Sequence, residues 1–125
     1  MSARNKKQFG VWMDSYHAII VGREGTESGD FVVLAHEKSS GRESNSNENT
    51  GNNAERKVQM MFFKEIAAHL TNAEELHVTG TGQIQEQFIH FMAETPQFKK
   101  TVAKESTSQQ MSEEKLVEYI SKAFN

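Results

Sequence analysis

Cysteine is absent from the 125 residues, which removes disulfides, thiolate metal sites and thiol nucleophiles together. Proline occurs once, at Pro96, so no stretch is a polyproline linker and only one point in the chain breaks a helix through proline. Long apolar runs are missing too. The basic start with Arg4, Lys6 and Lys7 leads into a run interrupted by Asp14 and His17, which fits neither a signal-peptide core nor a membrane span. Nor is there an excess of one charge: 17 acidic against 14 basic residues leave a net −3, which argues against a surface that coats nucleic acid and leaves room only for local basic patches. These absences predict a soluble cytoplasmic protein forming a single domain over 1–125, long enough to bury roughly two-thirds of its unfolded surface without metal or disulfides.

What is present is organised around Glu75–Met92, ELHVTGTGQIQEQFIHFM. A short apolar strand, a Gly-Thr-Gly turn and a helix with Ile84, Phe88, Phe91 and Met92 on one face make half of a βαβ unit, which implies a parallel pair in the sheet. Upstream, FGVWMDSYHAIIV from Phe9 to Val21 reads as a hairpin with a polar tip at 14–17, and FVVLAHE from Phe31 to Glu37 as a third strand whose near-continuous apolar run implies cover on both faces. Ser39–Asn53, SSGRESNSNENTGNN, has no aromatic or aliphatic residue and reads as a polar flexible loop. Ala54–Leu70 turns helical, with Phe63, Ile66, Ala67 and Leu70 at i, i+3, i+4 and i+7. The helix from Gln83 stops near Thr95, because Pro96 disfavours helical geometry before it. A weakly signalled strand follows over Phe98–Glu105, and Ser112 then caps a helix with Leu116, Val117, Ile120 and Phe124 as its buried stripe. The predicted order is β-β-β-α-β-α-β-α, an α/β domain with a mixed five-stranded sheet and the connectivity of ribonuclease H-like folds.

Five groups of residues bear on chemistry. Gly80, Thr81, Gly82 and Gln83 precede a helix and offer backbone N–H groups to a phosphate or other anion, yet they match neither the dinucleotide fingerprint nor the P-loop and also suit a plain βα turn. Asp14 on the first hairpin is a candidate metal-binding carboxylate for a two-metal phosphodiesterase, with Asp30, Glu37 or Glu75 as partner; the simpler reading is a turn residue. The histidines His17, His36, His69, His77 and His90 show no ligand spacing, so structural or surface roles are expected and no metal or other cofactor is implied. Ser40, Ser44, Ser46 and Ser112 lack any nucleophile context. Arg42, Arg56, Lys57, Lys99, Lys100 and Lys104 are the candidate RNA-binding cations, against the plainer reading of solvated faces. No catalytic residue is assigned, which leaves enzymatic activity without support.

Three pieces of the chain, GVWMDSYHAIIV, ELHVTGTGQIQEQFIHFMAETPQFKKTV and MSEEKLVEYISKAF, resemble small bacterial proteins related to the middle domain of archaeal and eukaryotic peptide-chain release factors and of Pelota. The resemblance implies a translation-machinery fold and association with the ribosome or RNA. In the release factors, hydrolysis depends on a Gly-Gly-Gln tripeptide in the loop between the third strand and the first long helix. The corresponding Ser39–Asn53 holds no glutamine and only the separated Gly41 and Gly51. The resemblance therefore implies a non-catalytic module. Two other classes stand beside it: a protein-interaction or homo-oligomerisation domain, suggested by Met60, Met61, Phe62 and Phe63 on one helix, and the Asp14 phosphodiesterase. A monomer or homodimer is expected.

Overall fold

The computed structural model describes residues 8–14, 16–23, 31–39, 51–71 and 73–124, with the side chains of 23 and 51–56 outside the description. Strands β1 (Gln8–Met13), β2 (His17–Arg23) and β3 (Phe31–Lys38) are followed by helix α1 (Gly51–Ala67), strand β4 (Glu75–Gly80) and helix α2 (Ile84–Ala93). A short 3-10 helix (Pro96–Phe98), strand β5 (Val102–Thr107) and helix α3 (Glu113–Phe124) complete the domain. The sheet runs β3-β2-β1-β4-β5. β1 pairs antiparallel with β2 and β2 with β3, whereas β4 lies parallel to both β1 and β5. This is the mixed five-stranded α/β architecture and element order that the sequence predicts.

Alternation along the central strands sorts side chains into two cores, since successive residues of a strand point to opposite faces. Phe9, Val11 and Met13 of β1, Ala18 and Ile20 of β2, and Leu76 and Val78 of β4 meet Phe62, Phe63 and Ile66 of α1 and Phe88 and Met92 of α2. On the other face Trp12, Ile19, Val21 and Phe31 meet Leu116 and Ile120 of α3. The approach of α3 depends on Gly10, where a Cβ would lie 2.5 Å from the Ile120 side chain. Phe63 packs edge-on to Phe88 at 5.2 Å between ring centroids, locking α1 to α2. Burying a phenylalanine of this kind contributes roughly 1.5–3 kcal/mol.

β3 departs from regular pairing. Ile20 opposes Ala35 while Val21 opposes Val33, so Leu34 is an extra residue, and the bulge lets Leu34 and Ala35 both pack on the α1/α2 core. Val33 packs with the α3 core and Val32 is exposed, so the expected cover of β3 on both faces holds for its centre but not for Val32.

Three elements have boundaries that differ from the sequence reading. Helix α1 already includes Gly51–Asn53, assigned from sequence to the polar loop, whose residues 40–50 lie outside the described residues. The fifth strand starts at Val102 rather than Phe98. Pro96 opens a 3-10 turn that buries Phe98, and Thr101 Oγ1 then donates to Ala73 O at 2.8 Å, so the apolar residue read as strand is a plug beneath β4. Helix α2 begins at Ile84 and ends at Ala93.

Candidate functional site

The Gly80–Gln83 turn is shaped from within by Gln85, a fully buried amide. Its Oε1 accepts from Gly82 N–H at 3.2 Å, and its Nε2 donates to Gly80 O at 3.4 Å and Ser106 O at 3.2 Å. A Cβ on Gly80 would come within 2.3 Å of Met13 O. The first glycine is thus required by the close passage of β1, and the Gly82 N–H proposed for an anion is already satisfied. Thr81, Gly82 and Gln83 are exposed, and Gln83 makes no side-chain cap to α2.

Asp14 Oδ1 accepts from the backbone N–H groups of Tyr16 and His17 at 2.8 and 2.7 Å, while Asp14 N donates to His17 O at 2.9 Å. This is a carboxylate closing a hairpin, stabilised by two N–H donors. Glu75 is paired with Gln8 at the opposite end of β1 and accepts from Gln8 Nε2 at 2.7 Å. Six strand residues, roughly 20 Å at about 3.3 Å each, separate it from Asp14, so the two cannot share an ion. Among the described residues no cluster of three or more His, Asp or Glu has metal-binding geometry. Asp30 lies outside the described residues, and Glu37 is held by His69 at 2.6 Å.

The candidate cations are distributed. Lys99 and Lys100 are exposed just after the 3-10 helix, at the end of the sheet where β4 and β5 start and Val102 N–H donates to Glu74 O at 3.0 Å. Lys104 is exposed on β5, level with His77. Lys57 is exposed in the first half of α1, and that helix starts from the other end of the sheet, where β3 finishes. The side chain of Arg56 and the whole of Arg42 lie outside the description. The structure therefore groups Lys99 and Lys100 with β5 and leaves Lys57 on a separate layer.

A polar network absent from the sequence reading lies where α3 passes the β4–β5 edge. Ser106 Oγ contacts His77 Nε2 at 2.9 Å, Thr79 Oγ1 at 2.9 Å and Tyr119 Oη at 2.8 Å, and Thr79 Oγ1 meets Ser108 Oγ at 2.7 Å. Tyr119 also stands edge-on to His77 with centroids 6.0 Å apart. Burial, aided by the Lys104 charge, pushes the His77 pKa below its ordinary 6.5, so the imidazole is neutral at pH 7. The network fastens Tyr119 of α3 to β4 and β5. The sequence carried one sign of it, the alternation His77–Thr79 facing Lys104–Ser106, but the pairing of β4 with β5 was needed to see it. Three other histidines meet carboxylates, His36 with Glu113 at 2.7 Å, His69 with Glu37 and His17 with Asp14 at 3.6 Å, and His90 is exposed beside a groove between α1 and α2.

No family model matches the chain, and no curated protein matches it. Among solved structures the fold is similar to Pelota of Thermoplasma acidophilum, with 16% identity over 86% of this chain and 30% of that one and a TM-score of 0.57. Pelota of Archaeoglobus fulgidus matches at 17% identity over 98% of this chain and 35% of the other, TM-score 0.55. An archaeal translation termination factor matches at 12% identity over 89% and 33%, TM-score 0.57. At these identities the likeness is one of fold, and the chain spans about a third of the length of each of these proteins.

Proposed function

We propose that the chain is a non-catalytic, translation-associated module of release-factor type that contacts the ribosome or RNA as one domain over 1–125. The observation that supports this reading is the fold shared, over most of the chain, with two Pelota proteins and a translation termination factor. Lys99, Lys100 and Lys104 form the contact to phosphate, with Lys57, Arg56 and Arg42 as further cations on other elements. A cytoplasmic location goes with this reading. Among the described residues no helix is long and apolar enough to cross a membrane.

Sedimentation with ribosomes tests it. Co-migration is expected at low salt and its loss at high salt, because neutralised phosphates release counterions. For a purified RNA target, removing both charges with Lys99→Ala and Lys100→Ala should reduce the salt slope by roughly 1.5, at about 0.7–0.9 per phosphate contact. Failure to co-migrate at any salt concentration rejects the reading.

A second reading, self-association, is favoured by Met60 and Met61, which are 45% and 55% exposed while Phe62 and Phe63 are buried. Four large apolar residues in succession span more than one helix face, and Met60 borders a groove of about 440 Å³ with Phe63 and Phe91. A patch of this kind marks an interaction surface. Light scattering across a concentration series distinguishes a homodimer from a monomer.

A further inference from the structure

On the face that carries α3, strand pairing sets Trp12 beside Ile19, Ile19 beside His36, and His17 beside Lys38. α3 begins only at Glu113, so this end of the sheet is not roofed by the helix. The segment entering α3 instead forms the opposite wall of a cavity of about 410 Å³.

Trp12 lines that cavity and is 1% exposed. Its Nε1–H is the one buried side-chain polar atom among the described residues without a hydrogen-bond partner, whereas buried Gln85 and Thr79 are fully engaged. An unsatisfied buried donor is costly, and native structures retain few of them. The rim shows a matching imbalance. Its carboxylates are occupied, Glu113 by His36 and Glu37 by His69, while Lys38 has no carboxylate partner among the described residues. What remains is an indole donor, apolar walls from Ile19 and Met111, imidazoles at the edge and an ammonium with no carboxylate partner among the described residues. The volume falls within the range of small-molecule sites, about 300–1,000 Å³.

We propose that this cavity binds a nucleoside monophosphate unit, free or as one unpaired residue of an RNA strand, with a base carbonyl accepting from Trp12 Nε1–H and the phosphate meeting Lys38. A flat ring suits the apolar walls, and a carbonyl oxygen beside it satisfies the orphan donor. Uracil, cytosine and guanine present such an oxygen; adenine offers only ring nitrogens as acceptors, which project less far than an exocyclic oxygen, so the site favours the carbonyl bases. The RNA-strand source rests on the translation-associated reading above; the free nucleotide does not.

Trp12 is the only tryptophan in the chain, so one indole N–H resonance and one fluorophore report on the site. Titration with UMP should move the indole resonance downfield and quench the emission saturably. AMP should bind about tenfold more weakly, the equivalent of one hydrogen bond at about 1.4 kcal/mol, and inorganic phosphate more weakly still. Lys38→Ala, at an exposed position, should weaken UMP severalfold without altering the melting temperature. Trp12→Phe, followed by calorimetry, should abolish the preference for UMP over AMP; if that variant does not fold, the Lys38→Ala titration carries the test. Response to a uridine oligonucleotide but not to UMP assigns the strand as the source, and response to UMP alone assigns the free nucleotide. An indole signal unmoved by both, or moved equally by UMP and AMP, overturns the proposal. Binding of UMP by a protein that fails to sediment with ribosomes would reject the translation-associated reading and leave this one standing.

Discussion

Gln85 decides the shape of the loop that the sequence marks most conspicuously. Read as a string, Gly-Thr-Gly-Gln before a helix suggests backbone donors open to a ligand; in the fold, one of those donors is closed by an amide three residues further on. The signal was a polar residue on the buried face of α2, next to Ile84 and in line with Phe88, but its partners Gly80 and Ser106 come from other elements. Gln85→Leu should lower stability in urea by about 1–3 kcal/mol, since it keeps the volume and strands buried partners; an unchanged midpoint would show that water takes over the amide's role. His77 makes a second residue-scale prediction. The unfolded chain protonates it near its ordinary 6.5, whereas burial and Lys104 delay protonation in the fold. The unfolded state thus binds more protons as pH falls below 6.5, and stability should decline there until the folded imidazole itself titrates. His77→Gln should flatten this part of the pH profile.

Elements were legible where their period was strong. The first hairpin, the helix after the glycine turn and α3 all follow from apolar spacing, and Ser112 behaves as the sequence reading requires: its Oγ accepts from Lys115 N–H at 3.2 Å and its carbonyl from Leu116 N–H at 2.9 Å. Ser112→Ala should therefore cost about 1 kcal/mol and Ser112→Asn much less, read as melting temperature. A larger loss from alanine would mean that the wall of the Trp12 cavity depends on this cap. The elements that were misplaced are those with weak local signals. Gly51-Asn52-Asn53 are poor helix formers, so their helical state in α1 could not be read from propensity. β5 has exposed Val102, Lys104 and Glu105 and is a strand chiefly because β4 offers it a parallel edge. The bulge at Leu34 left no local trace, because its benefit lies in contacts with α1 and α2 rather than in the strand.

At the scale of the molecule, the topology was legible because α1 and α2 each connect two strands that run in the same direction, as parallel pairing demands, whereas the interaction surfaces were not, because they depend on what the packing leaves uncovered. Met60 and Met61 illustrate this. If they form a homodimer face, Met60→Gln with Met61→Gln should convert the dimer to a monomer and leave the melting temperature of the monomer unchanged; a scattering mass equal to one chain at all concentrations would remove that reading. The final prediction separates fold from activity. In the release factors that the sequence resembles, the glutamine of the Gly-Gly-Gln loop is the group on which peptidyl-tRNA hydrolysis depends, and the stretch that this resemblance sets against that loop, Ser39–Asn53, contains none. The only nearby glycine-glutamine string, Gly82-Gln83, sits after β4 and leads straight into α2, so it is fixed at one end of a helix rather than carried on a long connection. The intact protein should therefore leave the hydrolysis of ribosome-bound peptidyl-tRNA at its uncatalysed rate, even at concentrations that saturate its sedimentation with ribosomes. Deleting Ser44–Thr50 should change neither that rate nor, beyond a few tenths of a kcal/mol, the stability, because loop-closure entropy varies slowly with length. Release above background by the intact chain, lost on the deletion, would place a catalytic group in this segment despite its composition.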